Sequence, residues 1–139
     1  MLITSIKMQL NDGSTYDSEL AYDRLESNVC TVRIVNNHIG ILEKTGVNYF
    51  SALIEIRKEL DAKSIKLLCW GSRKDVWPSP TQNDWVVGLL ANSHIMQEQA
   101  DNDDKKLKGI TGNIFAPALA EDVCTVEEQL QYCRSYRNR

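Results

Sequence analysis

The feature that most constrains this chain is a change of hydrophobic period at Thr45-Gly46. Before it, apolar residues recur at every second position; after it, at every third or fourth. Leu2, Thr4, Ile6, Met8 and Leu10 alternate with Ile3, Ser5, Lys7 and Gln9, which predicts a strand with one face towards a core. Asn11-Asp12-Gly13-Ser14 is a turn signal, because Gly and Asn/Asp tolerate positive φ. A more polar second strand is expected over residues 15–22, with 23–28 as a polar connection. Residues 29–35, rich in β-branched side chains, predict a third strand. Asn36-Asn37 predicts a hairpin turn and residues 38–43 a fourth strand. Four strands joined by short turns predict an antiparallel meander.

Beyond the break, Tyr49, Phe50, Leu53, Ile54, Ile56 and Leu60 fall at helical spacing, with Ser51, Glu55, Lys58, Glu59 and Asp61 on the other side. This predicts a long helix over residues 47–62, laid across one face of the sheet. Lys63-Ser64 ends it, and residues 65–70 read as a fifth strand. Residues 84–91 fit a short helix or a strand, and periodicity does not decide between them. The polar stretch 97–108 reads as an exposed loop, residues 107–115 as the place of a short strand, and 116–120 as a connection. Thr125 and Glu128 are spaced as a capping box, which starts a final helix running to about Tyr136. The expected architecture is α+β: a mainly antiparallel sheet of about five or more strands, one long helix across a face, and a C-terminal helix. No repeat or low-complexity linker divides the 139 residues, so a single domain, 1–139, is expected.

A net charge of −3 and a pI near 5.4 weigh against nucleic-acid binding, which needs a basic face. No apolar run is long enough to span a bilayer. The first seven residues lack a basic stretch leading into a long apolar core, so no secretory signal and a cytoplasmic location are expected. Cys30, Cys69, Cys124 and Cys133 form no Cys-x-x-Cys pair and read as free thiols in a reducing compartment.

Candidate chemistry is sparse. Asp101, Asp103 and Asp104 suggest calcium, but a loop starting at Asp101 has Lys106 and Gly112 where glycine and glutamate are needed. His38 and His94 are isolated, and no zinc spacing occurs. Neither a metal nor a cofactor is expected. Cys69 stands at a strand-to-loop junction where a nucleophile with a histidine base is conceivable, but it also fits the apolar strand pattern. Ser72 lacks the nucleophile-elbow motif, and there is no glycine-rich phosphate loop.

The loop from Trp70 to Trp85 is the best surface candidate. It gathers Trp70, Arg73, Lys74, Asp75, Trp77 and Trp85, and Trp and Arg are the types enriched at binding hot spots. The competing reading is that Trp70 and Trp77 cover the open end of the sheet. Acidic residues are scattered over Asp17, Glu19, Asp23, Glu26, Asp101, Asp103, Asp104, Glu121 and Asp122. If several meet on one face, they form a negative patch that steers a basic partner into contact.

Residues 49–60 (Tyr-Phe-Ser-Ala-Leu-Ile-Glu-Ile-Arg-Lys-Glu-Leu), followed by 67–79 (Leu-Leu-Cys-Trp-Gly-Ser-Arg-Lys-Asp-Val-Trp-Pro-Ser), resemble a family of small uncharacterised bacterial proteins. The Asn11-Asp12-Gly13 turn, Ile114-Phe115 and the helix start from Thr125 to Gln129 extend that resemblance over most of the chain. In style the chain is also similar to immunity proteins of bacterial polymorphic toxin and contact-dependent inhibition systems. That second likeness implies a non-enzymatic cytosolic protein that binds and neutralises a toxin encoded nearby, and it transfers no functional residue. The alternatives are a small enzyme using Cys69 or a carboxylate pair, and an adaptor that binds through the Trp70–Trp85 loop.

Overall fold

The computed structural model describes residues 1–94 and 110–138. It is an α+β fold in which β1 (Leu2–Gln9), β2 (Thr15–Glu26), β3 (Val29–Asn36), β4 (Gly40–Gly46) and β5 (Lys66–Leu67) form an antiparallel sheet in the order β4-β3-β2-β1-β5. A second antiparallel sheet, of three strands, has β6 (Val76–Trp77), β7 (Leu90–Ser93) and β8 (Thr111–Asn113) side by side. The helices are α1 (Tyr49–Asp61), α2 (Pro80–Trp85) and α3 (Val126–Arg137).

The meander follows from the alternation. Thr4↔Leu20, Leu20↔Ile34 and Ile34↔Leu42 are direct cross-strand partners, so one face of the sheet is apolar from β1 to β4. Ile6, Met8, Leu20, Val32 and Ile34 on that face are buried with Leu53, Ile56 and Leu60 of α1. Cys69, Val76, Ala91, Ile114 and Phe115 extend the same core into the second sheet.

Several boundaries differ from expectation, each for a physical reason. β2 runs on to Glu26 instead of ending at Tyr22, because Asp23↔Thr31 and Arg24↔Cys30 continue the ladder with a bulge between Arg24 and Glu26. The polar residues there mark a solvent-facing side, not a connection. β4 begins at Gly40 rather than His38, and Gly40 takes φ +73° as the chain leaves the turn. Thr45 and Gly46 do not break β4 but pair with Thr31 and Cys30. Gly46 is required for another reason: a Cβ there would lie 2.6 Å from the backbone nitrogen of Ala52, where α1 passes over the strand end.

α1 spans 13 residues, shorter than the long helix expected, and packs against β3 and β4. It starts at Tyr49 rather than Val47, and Asn48 caps it by accepting from the Ser51 amide at 2.8 Å. The fifth strand holds only Lys66 and Leu67, because the chain then leaves β1: Leu68 still donates to the Lys7 carbonyl, but Trp70 donates to Ala116. Trp70–Ser72 is a 3-10 turn. The ambiguous stretch 84–91 contains both element types. α2, with a Ser79–Gln82 capping box, ends at Trp85, and β7 starts at Leu90 after a turn with Val87 and Gly88 at positive φ. The Thr125–Glu128 capping box forms as expected. The expected loop over 97–108 lies outside the described residues.

Candidate functional site

The loop after α1 is turned inward. Trp70 donates its indole N–H to the Ala91 carbonyl at 3.0 Å, and its ring lies against Gly112, where a Cβ would come within 2.9 Å of Nε1. Arg73 stands 5.3 Å from the Trp70 ring and forms ion pairs with Asp75 and Asp122, both at 3.1 Å. Asp75 and Trp77 are buried. Trp77 stacks flat on His94, with ring centroids 4.0 Å apart and planes 2° apart, and meets Tyr132 and Tyr136 edge-on. Burial pushes the His94 imidazole below its ordinary pKa. Lys74 is the one exposed residue between Trp70 and Trp77, and its ammonium lies 5.0 Å from the Tyr132 ring. Trp85 closes α2, its side chain falling outside the described part, as do Asp101, Asp103 and Asp104.

What holds this loop is a polar hub absent from the sequence reading. Arg57 of α1 is buried, and burial pulls its pKa down. Its guanidinium donates to the Gly71 carbonyl at 3.2 Å, to the Cys124 carbonyl at 2.9 Å and to Gln129 Oε1 at 2.6 Å. The Gln129 amide in turn donates to the carbonyls of Gly71, Arg73 and Val76 at 2.8–3.0 Å. Two N–H groups thus serve three carbonyls, with one N–H shared. The hub ties α1, the loop and α3 into one unit. A signal for it existed: Leu53, Ile56, Arg57 and Leu60 occupy i, i+3, i+4 and i+7, so Arg57 falls on the inward stripe.

Cys69 is fully buried, and desolvation raises its thiol pKa. Its sulfur sits 3.2 Å from Ser72 Oγ. The imidazole of His38 packs on Tyr16 and that of His94 on Trp77. Cys69 is therefore a packed thiol rather than an exposed thiolate. Among the described residues no group of three or more His, Cys, Asp or Glu side chains converges as a metal site.

The exposed chemistry lies on the other face of the five-stranded sheet. Three cross-strand rows define it. Ile41, Val35, Glu19 and Ser5 form one; Glu43, Arg33, Ala21 and Ile3 the next; Thr45, Thr31 and Asp23 the third. Asp17 and Lys7 stand opposite one another at the far end, 3.2 Å apart. Ile41 is 69% exposed, Ile3 64% and Val35 38%, a large apolar content for a sheet face, while Ala21 and Thr31 between them are buried. The face carries the carboxylates of Asp17, Glu19, Asp23 and Glu43 against the cations of Lys7 and Arg33. Glu43 lies 3.8 Å from Arg33, whereas Glu19 and Asp23 make no ion pair among the described residues. The period-two alternation of β2 brings Asp17, Glu19 and Asp23 together on this face, while Asp122 is spent on Arg73.

Among the described residues no helix is long and apolar enough to cross a membrane. No model of a known protein family matches the chain, and no curated protein matches it significantly.

Proposed function

We propose that this chain is an immunity-type protein, acting in the cytoplasm, that binds a basic toxin protein encoded nearby and blocks it through the open face of its five-stranded sheet. The observation that carries this reading is the mixture on that face: exposed Ile3, Val35 and Ile41 interleaved with a surplus of carboxylates, two of them unpaired among the described residues. Apolar side chains supply area to desolvate, and the uncompensated Glu19 and Asp23 attract a cationic partner and fix its orientation. The inward turn of the Trp70–Trp77 loop makes that loop a support for the fold rather than the contact surface. Trp70 bonds the Ala91 carbonyl, Trp77 stacks on His94, and Arg73 is paired with Asp75 and Asp122.

Co-expression with the product of the neighbouring gene tests this reading. The chain should rescue cells from that product and co-purify with it. Rescue should fail when Glu19 and Asp23 are both changed to lysine in a protein that remains folded. Absence of any complex with the neighbouring product, or full rescue by the double lysine variant, would overturn the proposal.

A further inference from the structure

Helices α1 and α3 leave a groove between them, which reaches Gln129 of the hub at one end. Two clefts, of about 570 and 210 Å³, lie along it and share Leu130. The α1 wall is Phe50, Ile54, Lys58 and Ala62, each four residues from the last. The α3 wall is Glu127, Leu130, Arg134 and Arg137, at three- and four-residue steps. Both walls are thus single helical stripes. The helices run antiparallel: Asp61 at the end of α1 accepts the Val126 amide at the start of α3 at 2.8 Å, while Phe50 at the start of α1 packs into the Trp77–Tyr132 cluster beside Cys133 and Tyr136.

The floor is apolar and only partly covered. Leu130 is 43% exposed, and Phe50, Ile54 and Cys133 are half-buried. The rim is basic along most of its length. Arg134 and Arg137 make no ion pair among the described residues, and Lys58 reaches only Glu55 on its own helix, at 3.2 Å. At the opposite end, Asp61 is already engaged as a cap and Glu127 remains.

We infer that this groove is a second docking surface, separate from the sheet face, that takes an acidic amphipathic helix of a partner protein. An apolar trough between two antiparallel helices accepts a third helix through anchors at i, i+3 or i+4, and i+7. Glutamates flanking those anchors would meet Arg134 and Arg137, whose charges have no partner within the described chain. A basic helix would meet like charge along the same rim.

Cys133 lines the groove and reports its occupancy. The measurement uses the full chain with Cys124→Ser, which removes the other partly exposed thiol; Cys30 and Cys69 are buried. Alkylation of Cys133 by iodoacetamide is followed with two designed helical peptides of about 14 residues, long enough to run the length of α1. Both carry leucine anchors at i, i+4 and i+7, one with glutamate flanks and one with lysine flanks. The glutamate peptide should slow alkylation saturably, by about five-fold at four times its dissociation constant. The lysine peptide should leave the rate unchanged, and Leu130→Glu, at an exposed position, should abolish the protection. The Glu19→Lys/Asp23→Lys variant should be protected like the parent, which separates this surface from the sheet face. The inference is overturned by no protection at about 1 mM glutamate peptide. Equal protection by the lysine peptide, protection that survives Leu130→Glu, or protection lost in the sheet-face variant would also overturn it.

Discussion

Arg57 and Gln129, 72 residues apart in the chain, meet in a buried hydrogen bond of 2.6 Å. Through that bond the first helix fixes the last one and the loop between them. Gln129→Leu would leave the Arg57 guanidinium buried with one acceptor missing, and the carbonyls of Gly71, Arg73 and Val76 each with one donor fewer. The expected loss is about 2–4 kcal/mol of unfolding free energy by urea titration. A loss below about 1 kcal/mol would mean that water replaces the amide and the hub is not structural.

Two glycines, Gly46 at the end of β4 and Gly13 in the β1–β2 turn, should respond differently to alanine. At Gly46 a Cβ meets the backbone of Ser51 and Ala52 at 2.6–2.9 Å, so α1 must move. Gly46→Ala should destabilise by about 2–3 kcal/mol, the range of overpacking. At Gly13 there is open space and only the positive φ of +87° to strain, so Gly13→Ala should lower stability by about 1–2 kcal/mol. Thermal melts of the two variants check the order; a larger loss at Gly13 would contradict the close approach of α1 to β4.

Much of the fold was legible because local patterns and tertiary packing agree. The alternation from Leu2 to Leu10, the Asn11–Gly13 turn and the Thr125–Glu128 cap are each local signals, and each forms. Of the three-stranded sheet, the short strand within 107–115 and the strand alternative for 84–91 were legible; β6, two residues long, and the pairing of the three were not. The Trp–Arg loop was legible only as two alternatives, a binding surface or a cover for the open end of the sheet. Residue types that make good hot spots also make good internal seals, and only the position of Gln129 and Asp122 in space decides that Arg73 and Trp77 turn inward. The acidic face was legible only conditionally: the spacing of Asp17, Glu19 and Asp23 gives a common side, but Glu43 joins them through the β3–β4 register.

Burial raises the Cys124 thiol pKa from 9.0 to about 11. The native state therefore favours the neutral thiol, while the unfolded chain ionises above 9.0. The stability this contributes is complete below pH 9 and is lost as pH rises towards 11. Urea midpoints over that window should fall for the parent more steeply than for Cys124→Ser, whose hydroxyl does not titrate there. Parallel slopes would contradict the burial of this thiol.

Trp77→Ala should remove the ring that seals His94, Tyr132 and Tyr136 together, and lower stability by about 3–5 kcal/mol. Lys74→Ala, at an exposed neighbour, should change it by less than about 0.5 kcal/mol. Chemical denaturation distinguishes the two. Equal, small effects would return the loop to the surface and restore it as a docking candidate.

The most direct test is calorimetric titration of the neighbouring gene's protein with the parent chain and with Glu19→Lys/Asp23→Lys. The parent should bind, more weakly as salt rises, and the double variant should bind at least about ten-fold more weakly under the same conditions. Equal affinity for the two chains, or no heat of binding from the parent, would contradict a partner held on the open face of the sheet.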